Sequence, residues 1–188
     1  MELEQYRKEM KPLDRASVEA AWKHWDSLCK PLRGMGRLEE MVVQLAGIYG
    51  TARFGEIADL RPVVVIMGAD NGVVAEGVSQ TGSEVTAQVL ENMGDRKSSV
   101  CIMSKQMGIE VIPVNIGMFV DGQHPRIWNR VVRYGTANLA KGPAMSREEA
   151  LQAIETGIQV VKELYQAGHR MIITGEMGIG NTTPSSAM

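Results

Sequence analysis

Residues Val63, Val64, Val65, Ile66 and Met67 form an unbroken apolar run, mostly β-branched, with no polar alternation. A strand with one wet face alternates; a continuous run is what a strand buried on both faces of a parallel sheet requires. Parallel strands need long crossovers, usually helices, and the sequence provides them. In SQTGSEVTAQVLENM, Thr81 and Glu84 have capping-box spacing ahead of Val85, Val89 and Met93. IEVIPVNI reads as a second buried strand, although Pro113 favours an edge or a strand end. SREEALQAIETGIQVVKELYQAG is the clearest helix: Ser146 and Glu149 form its capping box, Leu151, Ile154, Ile158, Val161 and Tyr165 its buried stripe, and Gly168 closes it. MIIT follows as another strand. This alternation predicts an α/β fold, a mainly parallel Rossmann-like sheet flanked by helices. The connection from Gly117 to Met145 is rich in Gly, Asn, Pro and Arg, and a stretch that long is usually functional or carries unrecognised structure.

Ahead of this pattern lies an N-terminal helical layer. Asp14 can cap a helix with apolar positions at Val18, Ala21, Trp22, Trp25 and Leu28. RLEEMVVQLAGIYG puts Leu38, Met41, Val42, Leu45, Ile48 and Tyr49 on one stripe. The expected division is therefore a helical segment over 1–60 and a parallel α/β nucleotide-binding core over 61–188. A formal charge of −2 and a pI near 6.0 give no strong attraction for nucleic acid or an anionic membrane. Cys29 and Cys101 are too few for a disulfide framework, which favours a reducing cytoplasm. The polar amino terminus lacks the apolar core of a signal peptide, and no run reaches membrane-spanning length.

In open parallel sheets ligands gather beyond the carboxyl ends of the strands. Two such ends carry unusual residues, GADNG after the first strand and TGEMGIGNTT after the last, and both fall on one edge. In the second, Gly175, Gly178 and Gly180 permit close backbone approach, while Asn181, Thr182 and Thr183 add donors, a combination that suits a phosphate. The glycine spacing matches a P-loop, but Asn181 stands where that motif needs lysine, and GxGxxG is absent. The same glycines also serve a tight strand-to-helix connection, and spacing alone leaves both readings open. A helix terminus contributes only about 0.3–1 kcal/mol to holding a charge, whereas a micromolar ligand needs about 8 kcal/mol. A phosphate here orients a ligand whose sugar and ring supply the rest. Glu176 repels a bare phosphate yet accepts hydrogen bonds from ribose hydroxyls, and it reads equally as a solvated acid. Asp70, Asn71, Glu76, Ser79, Glu84 and Gln88 follow the first strand; Ser79 and Gln88 suit the edge of a heterocycle, though each is also a common turn or cap residue. His24, His124 and His169 have no metal-ligand spacing, and no nucleophile elbow or Cys/His pair is present.

Taken together and in order, GRLEEMVVQLAGI, GADNGVVAEGVSQTGSEVTAQ, GTANLAKGPAMSREEAL and TGEMGIGNTTPSSAM resemble the nicotinate-nucleotide–dimethylbenzimidazole phosphoribosyltransferase family, from about Lys30 onward. The resemblance implies a parallel α/β sheet with a small helical bundle, a homodimer or a C-terminal partner half, and no metal or organic cofactor. It implies transfer of 5-phosphoribose from nicotinate mononucleotide to a benzimidazole-type base in cobamide lower-ligand assembly. By position it carries Ser79 and Gln88 to base binding, and Glu176, Gly178, Gly180, Asn181 and Thr182 to the phosphoribosyl side. The family's general-base glutamate lies further along than this sequence reaches, so the chain reads as an amino-terminal half whose isolated activity is expected to be poor. The sequence departs from the family at Asn71, where a histidine is usual, at Gln80 to Ser83, and at GDRKSSV, where a Gly/Ala run is usual. Those departures leave the acceptor base open and keep a non-catalytic nucleotide-binding or sensor module as the alternative.

Overall fold

The computed structural model describes residues 2–53, 55 and 60–187, which cluster as two compact units, 1–60 and 61–188. The first is helical: α1 (Glu2–Glu9), α2 (Arg15–Ser27) and α3 (Arg37–Tyr49). Asp14 caps α2 as its sequence position predicts, accepting from Ser17 N at 2.7 Å. The two longer helices close on Ala21, Val43 and Ala46, with Val18, Trp22 and Trp25 packed around them. The stripe expected on α3 is corrected. Its buried row is Glu39, Val43, Ala46 and Gly47, while Leu38, Met41, Ile48 and Tyr49 are exposed. Small residues set this row, because a Cβ on Gly47 would stand 2.7 Å from Val18 Cγ2. Leu28, at the end of α2, is also exposed. Buried Glu39 accepts from Lys30 Nζ at 2.8 Å and Met35 N at 3.1 Å, and the Lys30 hydrogen bond holds its carboxyl below the ordinary range.

The second unit is a four-stranded parallel sheet in the order β3-β2-β1-β4. Its strands are β1 (Pro62–Ala69), β2 (Glu110–Gly117), β3 (Trp128–Asn129) and β4 (Met171–Met177). The run that defines β1 is buried on both faces: Val63 and Val65 meet Val160 and Leu164 of α6 (Arg147–Gln166). Val64 and Ile66 meet Met93 of α4 (Glu84–Gly94) and Cys101 of α5 (Ser99–Gln106). β2 is internal by order, but β3 pairs it only at Val114 and Asn115, so its flank through Pro113 runs unpaired on that side. A short 3-10 turn, Gly72–Glu76, follows β1, and α7 (Thr182–Ala187) follows β4.

Two expectations about helices change here. Ser146 and Glu149 do form their capping box, yet α6 buries Val160 and Leu164 while Leu151, Ile154, Val161 and Tyr165 are exposed. The sheet-facing row is one residue earlier than the predicted stripe. Thr81 and Glu84 form no box: α4 begins at Glu84 behind Ser83, which makes no side-chain cap, and Thr81 N instead donates to Ser79 Oγ at 3.3 Å. The Gly117–Met145 connection is ordered through Asn115, fully buried, whose Oδ1 accepts from Gly117 N and Met118 N and whose Nδ2 donates to Val120 O and Asn129 Oδ1. No helix among the described residues is long and apolar enough to cross a membrane.

Candidate functional site

Strand order reverses at β1: β2 and β3 lie to one side, β4 to the other. A parallel sheet offers its ligand crevice at such a point, beyond the carboxyl ends of the two strands. The residues there are Asp70 and Asn71 after β1 and Gly178 to Thr182 after β4, so both predicted motifs meet.

Their contact is close. Asn71 Nδ2 donates to Ile179 O at 3.1 Å, and Ile179 N donates to Thr86 Oγ1 at 3.1 Å. These two bonds brace the glycine turn from β1 and from α4. Gly178 is buried, and an added Cβ would lie 2.9 Å from Asn71 Nδ2 and closer still to the Ala69 carbonyl oxygen. Gly180 has φ of +77°, and its Cβ position stands 2.9 Å from Val74 Cγ2, so the 3-10 turn supports the other flank.

The bracing divides the turn's amides into two sets. Ile179 N is taken by Thr86, Asn181 N by Gly178 O at 3.1 Å and Thr183 N by Gly180 O at 3.2 Å. The amides of Gly178, Gly180 and Thr182 have no hydrogen-bond partner among the described residues. Glu176 is exposed and its Oε1 accepts from Asn181 Nδ2. The five phosphoribosyl-side candidates thus form one local group, combining unpartnered amides, an amide side chain and a carboxylate. Such a set can hold an anion beside a hydroxyl-bearing group.

Ser79 and Gln88 are arranged differently. Ser79 is half-buried and follows Val78, whose Cγ2 lies 3.6 Å from the Cβ position of Gly180. Gln88 is exposed on α4, two residues beyond buried Thr86 and so on another side of the helix. Among the described residues no hydrogen bond joins Ser79 to Gln88, or either to the glycine turn.

The long connection supplies a third wall. Gly72 N donates to Thr136 Oγ1 at 3.1 Å, and Thr136 N to Asp70 O at 2.9 Å. Asn138 and Lys141 both engage Glu76, the lysine at 3.4 Å. The Asn138 hydrogen bond, then the Lys141 charge, hold the Glu76 carboxyl below its ordinary range. Asp70 is 2% exposed; its Oδ2 accepts from Phe119 N at 2.8 Å, and Oδ1 has no partner among the described residues. A cavity of about 80 Å³ lies beside these contacts, lined by Ala69, Gly117, Gly135 and Thr136 among others; the glycine turn is not part of its wall. Sequence reasoning missed Thr86, Asn115, Thr136 and Asn138. Thr86 carried a signal, a polar residue in the helical row Thr86, Leu90, Met93 that α4 buries.

The GDRKSSV departure lies elsewhere. Arg96 reaches Val111 O and pairs with Glu110 at 3.1 Å, contacts at the start of β2, the end opposite to the glycine turn. Asp95 pairs with Lys97 at 2.7 Å and meets His124 at 3.4 Å.

Comparison with known proteins adds an independent line. A family model described as phosphoribosyltransferase matches residues 10–188. A Clostridium tetani protein named nicotinate-nucleotide–dimethylbenzimidazole phosphoribosyltransferase is 42% identical over 99% of this chain and 51% of its own length. One of the same name from Ruminiclostridium cellulolyticum is 44% identical over 100% of this chain and 53% of its own. The crystal structure of the enzyme so named from Thermus thermophilus superposes with a TM-score of 0.83 at 37% identity, covering 91% of this chain and 51% of that one. The chain spans about half the length of the curated relatives it matches.

Proposed function

Because the chain belongs to the phosphoribosyltransferase family, we propose that it supplies the phosphoribosyl-binding half of an enzyme moving 5-phosphoribose from nicotinate mononucleotide to a benzimidazole-type base. The observation that carries this reading is the braced glycine turn. Asn71 and Thr86 fix it from two elements while the amides of Gly178, Gly180 and Thr182 stay unpartnered. Those amides and Asn181 hold the phosphate, and Glu176 accepts from the ribose hydroxyls. Ser79, next to the turn, and Gln88, exposed on α4, are assigned to the acceptor base. Asn71 has a bracing role in place of a titrating one.

The general base is a carboxylate outside residues 1–188, contributed by a C-terminal partner half. Transfer forms a bond from a ring nitrogen of the base to the anomeric carbon and breaks the bond to nicotinate. The carboxylate takes the ring proton as this happens. The working assembly is a cytoplasmic homodimer of such completed subunits.

Calorimetry with nicotinate mononucleotide, followed by nicotinate-release assays with and without the unmatched half of a relative, tests the proposal. Binding by the chain alone with turnover only after the half is added is the expected result. Absence of binding overturns it. Binding that never leads to transfer, even with the added half, assigns the chain to nucleotide sensing instead.

A further inference from the structure

Two side chains of the long connection hold the 3-10 turn that follows β1, one at each end. At its start Thr136 Oγ1 accepts from Gly72 N at 3.1 Å, and at its last residue Glu76 Oε1 accepts from Asn138 Nδ2. Gly72 allows the approach, since a Cβ there would stand 2.5 Å from Thr136 O. The backbone that carries the two side chains is itself closed: Ala137 N donates to Ala144 O at 2.8 Å and Lys141 N to Asn138 O at 3.0 Å. Asn138 Oδ1 accepts from Ala140 N at 3.0 Å. The amide oxygen is thus tied within its own segment, and the nitrogen is left to face Glu76.

What the 3-10 turn supports is Gly180. Val74 Cγ2, Val78 Cγ2 and Val73 Cγ1 lie 2.9, 3.6 and 3.8 Å from the Cβ position of that glycine. Val73 and Val74 belong to the 3-10 turn, and Val78 follows Glu76 by two residues. Gly180 stands between the bonded amides of Ile179 and Asn181, and its own amide is one of the three without a partner. Among the described residues Asn138 makes no hydrogen bond to residues 178–182, so its influence on those amides runs through Glu76 and the valines. Lys141 adds little to the contact: its side chain is 74% exposed and 3.4 Å from Glu76, and an exposed pair of that kind is weak. The Asn138 hydrogen bond, made to a carboxylate, is the stronger contact.

We propose that Asn138 and Glu76 are positioning residues of the phosphoribosyl site: their hydrogen bond fixes the end of the 3-10 turn and, through Val74 and Val78, sets the backbone of Gly180 for an anion. Neither side chain touches the ligand. The inference rests on the phosphate-binding reading of the glycine turn, but the placement of that turn is measurable without any ligand. A contact that served only the fold would loosen the whole sheet when cut; a positioning contact loosens the glycine turn first.

The test cuts the hydrogen bond and then rebuilds it with donor and acceptor exchanged, in the 188-residue chain. Asn138→Ala deletes the donor, and Asn138→Asp sets a carboxylate against Glu76. Adding Glu76→Gln to Asn138→Asp returns an amide donor to the pair, with the bond reversed. Calorimetry gives the affinity for nicotinate mononucleotide, and amide hydrogen exchange without ligand is followed at Ile179, Asn181 and Thr183 and along β1 and β2. Each single Asn138 variant should bind roughly tenfold more weakly or worse. Its three turn amides should exchange faster while β1 and β2 keep the parent's rates. The double variant should recover affinity to within about twofold of the parent, together with the parent's exchange. Parent affinity and parent exchange in Asn138→Ala overturn the proposal. Losses that spread evenly over β1 and β2, or that Glu76→Gln does not repair, overturn it as well, because they mark a contact that serves only the fold. Should Asn138→Asp not fold, Asn138→Ala decides by the same exchange pattern. If the parent chain does not bind nicotinate mononucleotide, the functional reading fails, and the exchange pattern alone decides the positioning claim.

Discussion

Replacing Gly178 by alanine adds one methyl group just beyond the paired ends of β1 and β4. The built Cβ sits 2.9 Å from Asn71 Nδ2 and nearer still to the Ala69 carbonyl oxygen. Ala69 is the last residue of β1, paired into the sheet on one side by β2, so the oxygen cannot retreat and the turn must move. Overpacking of a tight site costs about 1–3 kcal/mol, and loss of the Asn71 to Ile179 hydrogen bond costs about 1 kcal/mol more. The sum is about 2–4 kcal/mol, measured as a lower urea midpoint at unchanged slope. If nucleotide binds only the native turn, even 2 kcal/mol against that turn weakens affinity roughly 30-fold. Calorimetry with nicotinate mononucleotide and urea melts on the same preparation supply both numbers. A Gly178→Ala protein within about 0.5 kcal/mol of the parent and binding with equal affinity would refute the argument that this contact sets the turn.

The two rows of α6 make a paired prediction. Leu164→Ala, at a fully buried site, should cost about 2–5 kcal/mol, whereas Val161→Ala in the isolated chain should stay within about 0.5 kcal/mol; reversed values in thermal melts would restore the original stripe. Ser146→Ala removes the capping-box acceptor and should lower stability by about 1 kcal/mol without altering nucleotide affinity in calorimetry. Acid should unfold the N-terminal unit by a calculable sign: the Lys30 hydrogen bond lowers the Glu39 carboxyl in the fold. Its contribution is therefore complete above the ordinary carboxylate range and disappears as pH falls through the lower folded value. Tryptophan fluorescence at Trp22 and Trp25 follows this, and Glu39→Gln should flatten the acid limb; an unchanged limb contradicts the assignment.

The parallel sheet was legible because burial on both faces leaves its mark in one stretch, Val63 to Met67. Asp14 and Ser146 were legible as caps because a cap is a contact over three residues. Faces of helices were not. On α6 a three-and-four spacing fits Leu151 to Tyr165 and equally fits Ala153, Gly157, Val160 and Leu164; favouring large residues selects the first row, although Val160 and Leu164 are the buried positions. The same bias toward large residues misread α3, where Glu39, Ala46 and Gly47 are the buried positions. At the site, Asn71 and the glycines stood out by residue type. Thr86 and Thr136 did not, because each acts through a partner more than ten residues away that only the fold selects.

Amide-resolved NMR of the chain during titration with nicotinate mononucleotide tests the central claim most directly. The account predicts that the amides of Gly178, Gly180 and Thr182 shift most and saturate together, while Asn181 and Thr183, already bonded within the turn, move less. Saturable binding that leaves those amides unmoved, or no binding at all, would contradict it.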